Sequence, residues 1–140
     1  MSKVAIVYWS GTGNTEMMAQ EVERGAKEAG AETAVIPASQ FSAADLAGYD
    51  AVAFGCPAMG AETLEEGEFA PMFEECEPHL AGKKIALFGS YGWGDGEWMR
   101  DWEDACQKDG AQLVCDSVIC QGEPDSTADA ACAALGAALA

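Results

Sequence analysis

The chain has 140 residues, a length that fits one domain with one hydrophobic core of moderate size. Its 7 basic and 24 acidic residues give a formal net charge of −17, and so negative a surface repels nucleic-acid phosphates and anionic lipid. The composition therefore argues against nucleic-acid binding and membrane attachment. It leaves open whether the charge attracts basic partner proteins or only keeps the protein in solution.

Strand-like and helical segments alternate along the sequence. A near-continuous apolar run over residues 4–9 predicts a strand buried on both faces. An apolar stripe at helical spacing follows and stops at Gly30. Four further strands are predicted, over residues 33–36, 50–56, 84–89 and 112–120. Three further helices are predicted from the apolar stripes over residues 69–80, 98–105 and 128–139. This alternation predicts an α/β fold, in which a parallel sheet is covered on both faces by right-handed crossovers.

The cysteines and the lack of long apolar runs predict a cytoplasmic protein. No apolar run approaches the ~18 residues of a membrane-spanning helix, and the first residues lead into a strand without a signal-peptide cleavage site. The six cysteines form no Cys-x-x-Cys pair, so we expect buried, reduced thiols and no metal site. Cys115 and Cys120, five apart on one predicted strand, are expected on opposite faces.

Residues 10–15 (SGTGNT) connect the first strand to the first helix and form a candidate anion site. Backbone N–H groups, hydroxyls and the helix dipole all favour a bound phosphate there. The loop has no lysine, unlike a P-loop, and Glu16 stands where a dinucleotide fingerprint needs its third glycine. Glu62 stands where a phosphatase loop starting at Cys56 would need arginine. Two alternatives remain, a phosphate held by uncharged donors or an ordinary capped turn.

Three stretches of the sequence resemble the FMN-binding loops of flavodoxins, in particular the short-chain flavodoxins of clostridia and related anaerobes. They are residues 8–16 (YWSGTGNTE), 55–60 (GCPAMG) and 86–96 (ALFGSYGWGDG). Glu123-Pro124 also matches near the last crossover, and the similarity runs essentially from end to end. The resemblance implies a single domain over residues 1–140 with a doubly wound, five-stranded parallel sheet in the order 2-1-3-4-5. It also implies non-covalently bound FMN.

The resemblance assigns cofactor contacts to three loops. Residues 10–15 form the phosphate loop, and residues 57–62 and 90–94 form the inner and outer ring loops. The assigned residues are Ser10, Gly11, Thr12, Gly13, Asn14, Thr15, Pro57, Ala58, Met59, Gly60, Ala61, Glu62, Ser90, Tyr91, Gly92, Trp93 and Gly94. The first six would hold the phosphate, and Met59 and Trp93 would lie against the two faces of the ring. For these two residues the alternatives are an ordinary loop methionine and a surface aromatic residue.

Two residues of the inner ring loop carry specific roles in the resemblance. The peptide after Gly60 would flip on one-electron reduction so that its carbonyl accepts a hydrogen bond from the flavin N5–H. The Glu62 carboxylate would accept a hydrogen bond from the ring N3–H. Ala61 departs from the polar residue of many relatives, Pro57 from a hydroxyl residue of some, and Gly122 from the Asn of some, so each lacks a side-chain contact that those relatives have.

The resemblance implies an electron-transfer protein, and not an enzyme. It would be a low-potential one-electron carrier that cycles between the semiquinone and hydroquinone forms of FMN, replaces ferredoxin-type carriers and acts as a monomer. Acidic residues near the ring loops would form a rim for the basic surfaces of redox partners, or would simply be a solvated face. They are Glu62, Glu65, Glu66, Asp95, Glu97 and Asp101. The alternative function is a small NAD(P)H-dependent FMN or quinone reductase.

Overall fold

The computed structural model describes residues 2–140 as one sheet with helices on both faces. The strands are β1 (Lys3–Tyr8), β2 (Glu32–Pro37), β3 (Ala51–Gly55), β4 (Lys84–Tyr91), β5 (Gln112–Leu113) and β6 (Val118–Gln121). The helices are α1 (Asn14–Glu28), α2 (Phe69–Cys76), α3 (Glu97–Lys108) and α4 (Ser126–Leu139). Short 3₁₀ turns cover Ala38–Gln40, Ala43–Gly48 and Glu77–His79. All strand pairs between these elements are parallel, and the order β2-β1-β3-β4-β5 confirms the predicted topology.

The central strands are buried on both faces, and successive side chains point into two separate cores. On β1, Ala5 and Val7 lie in the core under α2 and α3, whereas Val4 and Ile6 lie in the core under α1 and α4. This alternation follows from the two-residue period of a strand. It explains why β1 reads as a continuous apolar run.

The two cores are packed differently. Under α2 and α3 the packing is aromatic, since the Trp102 ring meets Phe69 and Phe73 edge-on at centroid distances of 5.4 and 5.6 Å. Between α1 and α4 the backbones touch. A Cβ on Gly25 would overlap the carbonyl of Ala133, and a Cβ on Gly136 would overlap the carbonyl of Val22. The absence of side chains at these two glycines therefore sets the α1–α4 distance.

The predicted fifth strand over residues 112–120 is wrong in one respect, because it is split into β5 and β6. Both pieces pair with β4, but β4 advances three residues from Ile85 to Phe88 while its partner advances five, from Leu113 to Val118. The two extra residues loop out, and the Ser117 hydroxyl in this loop donates a hydrogen bond to Glu103 of α3 at 2.7 Å. The side chain of Ser117 is therefore engaged outside the sheet.

The expectation for Cys115 and Cys120 is also wrong, since both pack against the same core cluster. The reason is that Cys115 lies in the bulge between β5 and β6 and not on a strand. Both thiols are free, as are the other four cysteines.

The ends of α2 and α3 meet at a pair of carboxyl groups that makes stability depend on pH. The pKa of Glu77 is raised to about 7 from 4.5, because the group is partly buried and because the Asp109 carboxyl hydrogen-bonds to it and repels its charge. Between these two values the folded protein binds more protons than the unfolded chain, so stability falls as pH rises through this window.

We expect a Glu77→Gln variant to lose this part of the pH dependence. Urea unfolding midpoints measured at about pH 5 and pH 8 should differ less in the variant than in the original protein. Glu123→Gln, an exposed acid on the loop after β6, is the control and should leave the difference unchanged. An equal pH difference in Glu77→Gln would contradict the assignment.

Candidate functional site

The loops after β1, β3 and β4 meet at the carboxyl edge of the sheet, where α/β proteins of this topology bind ligands. They enclose an open cleft of about 230 Å³. The lining residues are Trp9, Gly11, Thr12, Asn14, Pro57, Ala58, Met59, Ser90, Tyr91, Gly92 and Gly122. None of these side chains carries a positive charge, so an anion in the cleft would be held by hydrogen bonds and dipoles alone.

The loop before α1 presents backbone donors to the cleft. Gly13 adopts a φ of 98° at the helix N-cap, and within the described chain no side chain caps α1. The Ser10 hydroxyl instead accepts a hydrogen bond from the Gly13 N–H at 3.1 Å, which closes the loop on itself. The N–H groups of the first helical turn therefore remain free for a ligand, and the helix dipole adds to their positive potential.

A buried hydrogen bond ties this loop to β4. The hydroxyls of Thr15 and Ser90 lie 3.0 Å apart, and these are the two buried polar residues of the described chain. The Ser90 carbonyl in turn accepts a hydrogen bond from the N–H of Ala58 at 3.0 Å. One residue at the end of β4 thus fixes the loops after β1 and β3 relative to each other.

The loop after β3 forms a tight turn. The backbones of Met59 and Thr63 exchange two hydrogen bonds of 2.9 and 3.0 Å around residues 60–62. Gly60 adopts a φ of 43° and Glu62 a φ of 55°, which makes Glu62 the one residue other than glycine in the left-handed region among those described. A non-glycine residue in this conformation is strained, and such strain often marks a functional position.

The loop after β4 is anchored on one side and exposed at its tip. Tyr91 packs on Trp98 with a ring distance of 5.5 Å, and its carbonyl accepts a hydrogen bond from Gly122 at 2.9 Å. Trp93 is 65% exposed and does not line the cleft. Its position beside the cleft, at the tip of the loop, leaves the indole free of packing contacts in the core.

The Glu62 carboxylate joins the two ring loops. A Cβ on Gly94 would overlap Oε1 of Glu62, so glycine at position 94 is what admits the carboxylate. Oε1 is buried and has no hydrogen-bond partner among the described residues. A buried acceptor without a donor is costly, and an imide N–H such as that of a flavin ring is the kind of group that would satisfy it.

One predicted acid of the rim has a structural role instead. The Glu65 carboxylate accepts hydrogen bonds from the N–H groups of Gly67, Glu68 and Phe69 at 2.7 to 2.8 Å. Desolvation alone would raise the pKa of Glu65, but these three donors lower it. Glu65 therefore caps the start of α2, and the exposed charges near the cleft are those of Glu66, Asp95, Glu97 and Asp101.

Eight predicted site residues stand beside the cleft and do not line it. They are Ser10, Gly13, Thr15, Gly60, Ala61, Glu62, Trp93 and Gly94. The residue list drawn from the sequence also omits two residues that do line it. Trp9 continues the apolar run of β1 and looks like core, yet its indole lies over Gly11 and donates to Glu68 at 3.2 Å. Gly122 follows β6 at the same edge of the sheet. Its position directly after a strand is the signal by which the sequence could have identified it as a lining residue.

The thiols are not suited to chemistry at neutral pH. Burial raises the pKa of Cys56, Cys76, Cys106 and Cys132 to about 12, so these groups stay protonated and unreactive. Residues 2–140 contain no group of three or more potential ligands that could hold a metal ion. Over the same residues, no helix has both the length and the apolar character needed to cross a bilayer.

Comparison with known proteins identifies the family. A family model described as flavodoxin matches residues 6–136. The chain is 50% identical over 120 residues to a flavodoxin of Clostridium beijerinckii, covering 86% of this chain and 87% of the relative. It is 44% identical over 137 residues to a flavodoxin of Megasphaera elsdenii, covering 98% of both chains.

A solved structure agrees with these relatives. The solution structure of two-electron reduced Megasphaera elsdenii flavodoxin superposes with a TM-score of 0.90 at 45% identity, covering 97% of each chain. These matches confirm the resemblance seen in the sequence and favour an electron carrier over the reductase. The chain belongs to the flavodoxin family, and it is an FMN-binding electron-transfer protein of the short-chain type.

Proposed function

We propose that residues 1–140 form one domain that binds FMN in the cleft between the three loops and carries single electrons at low potential. Residues 10–15 would hold the phosphate, and residues 57–62 and 90–94 would hold the ring. The observation that carries this placement is that the loops after β1, β3 and β4 line one cleft, and that the loop after β1 is uncharged and rich in donors. Bound FMN supplies reversible one-electron redox chemistry.

The phosphate end is held by neutral groups. Thr12 and Asn14 line the cleft, and their hydroxyl and amide are available as donors together with the uncapped N–H groups at the start of α1. Hydrogen bonds from neutral donors to a charged acceptor contribute about 1.5–3 kcal/mol each. Several of them together replace the lysine or arginine that other phosphate sites use.

The ring end combines apolar contact with one acceptor. Met59 and Tyr91 line the cleft, and the exposed indole of Trp93 would stack on the outer face of the ring. The buried Oε1 of Glu62 has no partner among the described residues, and it would accept a hydrogen bond from the ring N3–H. The positive φ of Gly60 supports a turn whose carbonyl can be reoriented at low cost toward the ring.

The protein's charge favours a low potential. Each electron adds negative charge to a site on a protein of net charge −17, and the cleft offers no cation to compensate it. The last reduction step is therefore opposed electrostatically. This favours a carrier that reduces acceptors of low reduction potential, in place of a ferredoxin-type protein.

A reconstitution experiment tests the placement of the cofactor. Apoprotein added to FMN should quench its fluorescence at a one-to-one ratio, and the bound flavin should be released unchanged on denaturation. Reductive titration should then pass through a distinct spectrum after one electron equivalent. Absence of quenching would contradict the proposed site, and direct two-electron bleaching would contradict one-electron transfer.

The exposed acids near the cleft support basic proteins as partners. Glu66 and Asp101 line a groove together with Glu62, and Asp95 is an exposed residue of the loop after β4. Opposite charge on a partner raises the rate of encounter. The protein acts as a monomer in the cytoplasm, and its six free thiols fit a reducing compartment.

We expect electron transfer to a positively charged haem protein to slow steeply as salt is added, because screening removes this steering. A Glu66→Gln/Asp101→Asn variant should be slower by a few-fold at low salt and less sensitive to added salt. Glu32→Gln/Asp116→Asn, the same charge change at two other exposed acids away from the cleft, is the control. A salt-independent rate in the original protein would contradict steering.

A further inference from the structure

The side chain of Trp9 lies between the candidate cofactor cleft and a second cavity. Trp9 lines the cleft of about 230 Å³ together with Gly11 and Thr12 of the phosphate loop. It also lines a neighbouring cavity of about 190 Å³, whose other lining residues include Glu16 and Glu68. Of the described residues, Trp9 alone lines both. The indole is therefore the partition between the two spaces.

The indole is held in place from three sides. The backbone N–H of Trp9 donates to the carbonyl of Gly55 at 3.0 Å, which continues the pairing of β1 with β3. A Cβ on Gly11 would lie 2.9 Å from Cη2 of Trp9, so the ring rests on the backbone of the phosphate loop. Nε1 of the indole donates to Oε1 of Glu68 at 3.2 Å. These contacts fix both the position of the residue and the direction of its ring.

The acceptor of this hydrogen bond is itself anchored. Glu68 directly precedes α2, and its backbone N–H donates to Oε1 of Glu65 at 2.7 Å. The contact between Trp9 and Glu68 therefore joins the phosphate loop to the start of α2, across 59 positions of sequence.

The second cavity is negatively charged, unlike the cleft. Glu16 and Glu68 both line it, and among the described residues no lysine, arginine or histidine does. The Tyr8 hydroxyl donates to Oε2 of Glu16 at 3.2 Å, which neutralises no charge. A phosphate group in this cavity would be repelled by two carboxylates. A phosphate in the cleft would meet only uncharged donors.

We propose that Trp9, held by Glu68, is a specificity-determining residue that admits flavin mononucleotide and excludes flavin dinucleotides such as FAD. The inference rests on the proposed cofactor site, because it concerns what lies beyond the phosphate loop. The phosphate is the end of FMN, whereas in FAD a second phosphate and a nucleoside continue from it. The Trp9 ring blocks that continuation, and the carboxylates of Glu16 and Glu68 oppose its charge. A site that rejects a larger ligand by a clash and by like charge needs no added affinity for the smaller one.

Three variants separate the components of this exclusion. Trp9→Ala removes the partition, and Trp9→Phe keeps a ring but loses the donor to Glu68. Glu68→Gln keeps an acceptor for the indole and removes one charge from the second cavity. Glu74→Gln makes the same charge change at an exposed acid of α2 that lines neither space, and it is the control.

The readout is the dissociation constant of each apoprotein for riboflavin, FMN and FAD, measured by titration calorimetry. The original protein and Glu74→Gln should bind FMN and reject FAD. In Trp9→Ala the preference for FMN over FAD should fall by about tenfold or more. In Glu68→Gln it should fall by about two- to fivefold, as expected for an exposed charge, and Trp9→Phe should lie between the original protein and Trp9→Ala. Riboflavin, which has no phosphate, should bind every variant within about twofold of the original protein.

A structural role for Trp9 alone would weaken all three ligands by the same factor, and that result would overturn the inference. It is also overturned if FAD binds the original protein as tightly as FMN does. The same holds if FAD is still rejected by both Trp9→Ala and Glu68→Gln while FMN binds. Failure of the original protein to bind riboflavin and FMN would instead contradict the proposed cofactor site, and the inference would fall with it.

Discussion

Replacing Thr12 by valine is expected to weaken FMN binding by roughly ten- to a hundredfold while leaving riboflavin binding nearly unchanged. Thr12 lines the cleft, and valine has the shape of threonine but lacks its hydroxyl. The lost hydrogen bond is to a charged phosphate, which places it at the strong end of the range for neutral donors. Since riboflavin lacks the phosphate, the difference between the two ligands isolates the contact.

Fluorescence quenching of both flavins by the apoprotein gives the two dissociation constants. Thr127→Val, on an exposed position of α4, makes the same chemical change away from the cleft and should alter neither constant. Equal weakening of FMN and riboflavin by Thr12→Val would show that position 12 contacts the ring or shapes the loop, and does not bind phosphate.

Replacing Gly25 by alanine is expected to destabilise the protein by about 1–3 kcal/mol or more. In an isolated helix the same change stabilises by about 1 kcal/mol, because glycine is a poor helix former. In this protein, packing reverses the sign of the effect on the free energy of unfolding. The new Cβ would overlap the Ala133 carbonyl, and a backbone group cannot move aside as a flexible side chain can. The helices α1 and α4 must therefore separate.

Urea unfolding of the variant measures this cost. Gly136→Ala, on the opposite side of the same contact, should behave in the same way, since its Cβ would overlap the Val22 carbonyl. Gly48→Ala is the control, because a Cβ there would meet no atom within 4 Å. A Gly25→Ala variant as stable as the control would mean that the backbone contact between α1 and α4 is not tight in solution.

The fold could be predicted from the sequence because its signals are local and repeated. The buried strands β1, β3 and β4 appear as short apolar runs, and the helices as apolar stripes ended by glycine at Gly30 and Gly110. Parallel strands with crossovers allow few arrangements. The strand order and the position of the site at the carboxyl edge follow from these rules together with the resemblance.

The remaining features depend on contacts between distant residues. The split of the fifth strand arises from its register against β4, where two residues have no partner, and no local pattern in residues 112–120 reports it. Trp9 looks like a core residue in the sequence, but its indole lies over Gly11 of the loop before α1. The approach of the Glu62 carboxylate to Gly94 joins residues 32 positions apart in sequence, and only the folded chain brings them together.

The absence of cations in the cleft has a consequence for the two binding events of this protein. A dianionic cofactor approaches a molecule of net charge −17, so the long-range force on it is repulsive and short-range donors must overcome it. Added electrolyte weakens that repulsion but also weakens the attraction of a basic partner. Ionic strength should therefore tighten the hold on the prosthetic group while loosening the encounter complex, so that the carrier retains its flavin best under the conditions in which it docks least.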